Sequence, residues 1–167
     1  AEGYRLFLIG DTTTFTNAVS FQNADNVALG NEAGDSLTFN GGLTTTSVSG
    51  GGTVFINGTI QTSNDAIVLG AVTLGSATTI DTNASSNAGD ITVAAITGGS
   101  NNLTLSTGDN VSGADITASG NISGVTTLTL SDVGGTATFA GDVDVTTLTV
   151  GSTVANVAIN GDGSSVT

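Results

Sequence analysis

The sequence predicts an all-β fold of the β-solenoid type, a parallel β-helix with rungs of about 25 residues. Three observations lead there. Apolar residues alternate with Thr, Ser and Asp in short β-branched runs, the period-two pattern of strands. No stretch carries the 3.6-residue apolar period of an amphipathic helix. The runs also recur at a nearly fixed interval, as stacked repeats do.

In chain order the strand candidates are Leu37-Thr38-Phe39, Val54-Phe55-Ile56, Ile67-Val68-Leu69 and Ile91-Thr92-Val93. Leu103-Thr104-Leu105, Leu128-Thr129-Leu130, Val143-Asp144-Val145 and Leu148-Thr149-Val150 follow. Gly, Asn, Asp and Ser separate them, residues that tolerate the positive φ of tight turns, so a chain without Pro can still turn.

The repeat is anchored on Asp65, Asp90, Asp115 and Asp142, spaced by 25, 25 and 27 residues. Three columns downstream are apolar in all four copies: Ala66, Ile91, Ile116 and Val143; Val68, Val93, Ala118 and Val145; Ile80, Leu105, Leu130 and Val157. Weaker copies run from Asn40 and from about Phe15. Units are expected near 40–64, 65–89, 90–114, 115–141 and 142–166, inside a repeat domain spanning 31–167. The two additional residues of the fourth unit, around Val133 to Ala140, predict a bulge or a longer corner. An antiparallel β-sandwich is the competing architecture. It has no reason to repeat at this interval.

Segment 1–30 stands apart. Tyr4-Arg5-Leu6-Phe7-Leu8-Ile9 is the most apolar stretch of the chain. It is expected to cap the first rung or to add as a strand to a neighbouring subunit, which makes Tyr4, Leu6, Phe7, Leu8 and Ile9 the candidate assembly residues. Ala1-Glu2-Gly3 suits a mature N-terminus, and Asn160 to Ser165 reads as an uncapped end or a linker. Together the ends suggest a slice of a longer array or a subunit completed by its neighbours.

Composition narrows function. The 167 residues include 14 acidic residues and one basic residue, Arg5, for a net charge of -13. A single cation cannot supply a phosphate footprint, so neither a nucleic acid nor an anionic membrane surface is expected as partner. No run approaches the ~18 apolar residues of a membrane span. There is no Cys or His, hence no thiolate, no disulfide and no imidazole base or ligand. Paired carboxylates are the only hydrolytic chemistry left, with no aromatic or basic groups to hold a sugar, so no enzyme is expected.

Units such as GDITVAAITGGSNNLTLSTGDN and SGVTTLTLSDVGGTATFAGDVDVTTLTV resemble the β-strand repeats of bacterial surface proteins, including filamentous-haemagglutinin-type adhesins and autotransporter passenger domains. The resemblance covers roughly residues 35–160 and is one of composition and period, without a diagnostic motif. It implies a right-handed parallel β-helix, export to the cell surface or secretion, and a role in adhesion, biofilm or fibre formation.

Three candidate constellations remain. If the register holds, Asp65, Asp90, Asp115 and Asp142 stack at one corner, where a Ca²⁺ ladder would relieve their repulsion. The competing reading is solvated turn chemistry. Thr-rich runs offer a flat ice-binding face, but in this register Thr92 and Thr117 align with Ile67 and Asp144. Asn57, Asn83, Asn102, Asn110 and Asn121 open Asn-x-Ser/Thr sequons. The expected function is an extracellular structural module that polymerises head to tail with copies of itself or joins adjacent repeats of a larger chain. The alternative is a ligand-binding module, either a glycan-binding adhesin or an ice-binding face.

Overall fold

The structure, a computed structural model, describes residues 3–46, 48, 52–108 and 111–167. The described chain is all-β and winds as a β-solenoid of about seven coils. Every pairing between its strands is parallel, which excludes the antiparallel sandwich.

Coil 1 consists of β1 (Leu6–Leu8), β2 (Thr12–Phe15) and β3 (Val19–Ser20). Coil 2 repeats the pattern with β4 (Val27–Leu29), β5 (Ser36–Phe39) and β6 (Leu43–Thr44). Further on, strands run through corners: β7 (Val54–Gln61), β8 (Ile67–Asp81), β9 (Ile91–Thr97), β10 (Leu103–Ser106) and β11 (Ile116–Ala118). β12 (Ile122–Phe139) and β13 (Val143–Ile159) each wrap a whole coil, and β14 (Ser165–Val166) opens the next.

Three ladders enclose one core. Face A carries the column Leu6, Val27, Val54, Val72, Ile96, Ile122 and Val143. Face B carries Thr13, Leu37, Ile60, Ile80, Leu105, Leu130 and Val150. Face C carries Val19, Leu43, Ile67, Ile91, Ile116, Ala137 and Val157. Each inward side chain lies about 4.8 Å from its equivalents above and below. Removing these stacked side chains from water is the main stabilising contribution, at about 25 cal/mol per Å² of apolar surface.

The expected vertical stack of Ile80, Leu105 and Leu130 is present. Its next member is Val150; Val157 belongs to face C. Coils average about 23 residues, shorter than the expected 25. Along face B the spacing varies between 20 and 25 residues, as the column positions Ile60, Ile80, Leu105 and Leu130 show. The other two expected columns shift accordingly. Ile67, not Ala66, pairs with Ile91, and Ala137, not Val143, pairs with Ile116. Likewise Leu69 and Phe139, not Val68 and Val145, flank Val93 and Ala118. The physical reason is that corners face solvent and can change length, whereas the core requires only that each strand restart in its column. The irregularity expected near Val133 is a register shift between Val133 and Thr136 of β12, where Gly134 and Gly135 sit.

Residues 1–30 are not a separate unit where they are described. β1, β2 and β3 pair in register with β4, β5 and β6 and belong to the same axis.

Corners are satisfied by side chains from the coil below. Asn26 Oδ1 accepts the Thr53 N–H (2.9 Å), and Asn121 Oδ1 accepts the Asp142 N–H (3.0 Å). Asn64 Oδ1 accepts the N–H groups of both Ser85 and Ser86. At a corner the backbone leaves the ladder, and an Asx oxygen supplies the missing acceptor. Inside the bend between faces B and C, the buried Thr62, Thr82 and Thr107 donate their hydroxyls to the carbonyls of Asp65, Gly89 and Ala114. Each bond ties a corner loop to the core.

Candidate assembly site at the ends of the coil

A solenoid buries a side chain by placing a coil on either side of it. Coil 7 has a coil on one side only. Val150, Val157 and Ile159 point along the core columns yet are 47%, 38% and 39% exposed. Their equivalents one coil below, Leu130, Ala137 and Phe139, are 0%, 0% and 1% exposed. On face A the rim is covered by β14, whose two residues are both exposed. Ser165 Oγ donates to Asp144 Oδ1 (2.9 Å), the Val143 N–H donates to Ser164 Oγ (3.1 Å), and the Gly163 N–H donates to Asp142 Oδ1 (2.9 Å).

The opposite rim is coil 1. Leu6 and Leu8 turn inward and pack on the core with Phe15, Val19 and Phe21, all half-buried. Tyr4, Phe7 and Ile9 are exposed, so the candidate assembly segment divides into two inward and three outward residues. One edge of β1 pairs with β4 of its own chain; its other edge has no strand partner among the described residues. Buried Asn23 donates from Nδ2 to the Tyr4 carbonyl (3.2 Å) and holds this segment down. Arg5 Nε lies 3.9 Å from Asp25 Oδ2, with the Arg5 side chain 66% exposed. A pair this open contributes little to stability.

The four aspartates of the expected calcium corner do not form one column. Asp90 and Asp115 stack, and the Asp115 N–H donates to Asp90 Oδ1 (2.9 Å). Asp115 Oδ1 in turn accepts the Thr136 N–H (2.7 Å). Asp65 is one step out of line, because Ile67 rather than Ala66 meets Ile91. Asp142 stands at the start of face A, a different corner, above Asn121. Asp90, Asp115 and Asp142 act as caps for the next coil's backbone, the same work as the Asx residues above.

The carboxylates that do converge lie elsewhere. One oxygen each from Asp11, Glu32 and Asp35 fall within 4.8 Å of one another. Oxygen donors at that separation suit a hard cation. Buried Asp35 already accepts the Asn31 N–H (2.6 Å) and the Glu32 N–H (3.3 Å) through Oδ2. That accounts for an aspartate in the interior of a corner.

The outward surface of face B carries an unbroken hydroxyl column that the sequence alignment missed: Thr12, Ser36, Thr59, Thr79, Thr104, Thr129 and Thr149. On face C, Thr92 and Thr117 stack with Val68 and Thr138, not with Ile67 and Asp144. The column beside the face B ladder is interrupted by Gln61 and Asp81. Three shallow surface grooves are lined by Gly, Ala, Val, Ser, Thr, Leu and Asp, without an aromatic side chain on which a sugar ring could stack. Of the sequons, Asn83, Asn102 and Asn121 are exposed, whereas Asn57 is buried and donates to the Gly30 carbonyl (3.1 Å). Asn110 lies outside the described residues.

The fold and its two rims define a three-faced β-solenoid protein with open ends. No protein-family model, curated protein or solved structure matches the chain.

Proposed function

We propose that the chain is an extracellular structural module of a surface adhesin or matrix filament, and that it works by stacking end to end. The observation that carries this reading is the coil 7 rim, where Val150, Val157 and Ile159 lie exposed in columns that are otherwise buried. A rim of inward-pointing apolar residues beside unpaired strand edges is a template for another β-coil. The two rims differ, so the contact is heterologous and extends into an open filament. The resemblance to bacterial surface repeats and the absence of oxidisable Cys and Met support a place outside the cell. Electron microscopy and light scattering of the purified chain over a range of concentrations test this. Rods that lengthen with concentration are expected; a monodisperse monomer at the highest concentration, with and without calcium, overturns the reading.

A second reading rests on the face B ladder. Seven hydroxyls in register form a flat, regular surface of the kind an ice-binding protein presents. Thermal hysteresis that disappears in the Thr79→Lys/Thr104→Lys variant would favour it. Absence of hysteresis in the unmodified chain removes it.

A further inference from the structure

The geometry points to a specific joint: coil 1 of a second copy displaces β14 and stacks directly on coil 7, setting Arg5 over Asp142. This deepens the filament reading and rests on it. The starting observation is topological. β14 is the face A strand of an eighth coil, but no face B or face C strand of that coil follows it among the described residues. If β14 stayed in place, an incoming β1 would sit above it, while the incoming β2 and β3 would each lie one strand spacing too far from β13. With β14 moved aside, all three strands of coil 1 meet coil 7 together. Leu6 then stands over Val143, Phe7 over Asp144 and Leu8 over Val145. On the other faces Thr13 covers Val150 and Val19 covers Val157.

Charge supports the same register. The residue just before the first inward position of face A is Arg5 in coil 1, Asn26 in coil 2, Asn121 in coil 6 and Asp142 in coil 7. At this position Asn26 and Asn121 each cap the N–H of the residue stacked on them, and Asp142 now caps Gly163 of the β14 segment. The joint gives that cap to the Arg5 N–H. It also brings the chain's only basic side chain against the Asp142 carboxylate, with Asp144 diagonally beside it. Arg5 is held only by its loose contact with Asp25, so its guanidinium is free to turn. On a chain of net charge -13, this is the one contact that makes coil 1 attractive to the acidic rim.

β14 is suited to being displaced. It has two residues, both exposed, and Val166 remains 56% exposed although it lies in the column of Val125 and Val145. β14 therefore competes for the rim while burying little.

Cysteine pairs read the register directly, because the chain has no Cys of its own. Directly stacked residues meet the Cα separation of a disulfide. Phe7→Cys with Asp144→Cys is expected to give an oxidised ladder of dimers, trimers and longer species on a denaturing gel. Phe7→Cys with Ser165→Cys, the pair that meets if β14 stays, is expected to give none. Both carry outward substitutions that leave the core intact, and circular dichroism checks the fold. A chain lacking residues 163–167 is expected to assemble several-fold faster. The charge reversals Arg5→Asp and Asp142→Arg each slow assembly, and their combination restores it. A ladder from the Ser165 pair, or rods that form without a ladder from either pair, overturns this joint and leaves the filament reading standing. An unmodified chain that never forms rods overturns both.

Discussion

The rings of Phe15 and Phe39 stack with centroids 4.9 Å apart and planes within 4° of parallel. That spacing is the strand-to-strand distance of a β-sheet, so the coil pitch is written directly into an aromatic pair. The two residues pair across β2 and β5, at the position that Thr62, Thr82 and Thr107 take in later coils. The bend between faces B and C is thus filled by ring stacking at one end of the molecule and by buried hydroxyls further along.

Phe39→Ala removes a fully buried ring and its stacking partner's contact. A loss of about 3–5 kcal/mol is expected, of which the ring pair accounts for about 0.5–1.5 kcal/mol. Urea unfolding followed by circular dichroism measures it, and Phe15→Ala, at a half-buried site, should cost less.

Thr82→Val keeps the shape but deletes the hydroxyl that donates to the Gly89 carbonyl. That carbonyl then lacks its side-chain donor in the interior, and a loss of about 1–3 kcal/mol is expected. Thr79→Val, on the outward face of the same coil, should change stability by less than about 0.5 kcal/mol. Equal effects at the two positions would contradict the inward placement of Thr82.

Gly58 and Gly34 should respond to alanine with opposite signs. Gly58 has φ +71, and a Cβ there would lie 2.3 Å from the Asp35 carbonyl oxygen, so the corner between faces A and B must shift. Strain of about 1–2 kcal/mol from the left-handed backbone alone is expected. Gly34 has nothing within 4 Å of a built Cβ. Alanine there should stabilise by about 0.4–1 kcal/mol by restricting the unfolded chain. Thermal unfolding of the two variants side by side tests the pair.

The candidate site was only partly legible in the sequence. Leu6 and Leu8 stand out as apolar residues near one end, and they do line a rim. Val150 and Val157 look like ordinary repeat positions; their exposure comes from having no coil beyond them. Asp142 was aligned with Asp65, Asp90 and Asp115 because all four precede an apolar strand residue. Three ladders, however, offer three such corners per coil, and a one-dimensional spacing cannot distinguish them. The hydroxyl column from Thr12 to Thr149 was hidden for a related reason: consecutive members lie 20 to 25 residues apart, so no single period brings them together.

Residue order alone specifies the class of fold. Alternating Ile, Val, Leu and Thr with Gly, Asn and Asp between them favours strands and turns over helices, and a recurring interval makes those strands stack. It also identifies Ile80, Leu105 and Leu130 as vertical neighbours, since the two coils between them have equal length. Which residues meet elsewhere depends on how many residues each corner takes up, and that is set in three dimensions. A core column demands only that an apolar side chain arrive at the right height on the right face. The solvent-facing corner that delivers it is free to be long or short, so the register is a property of the folded coil.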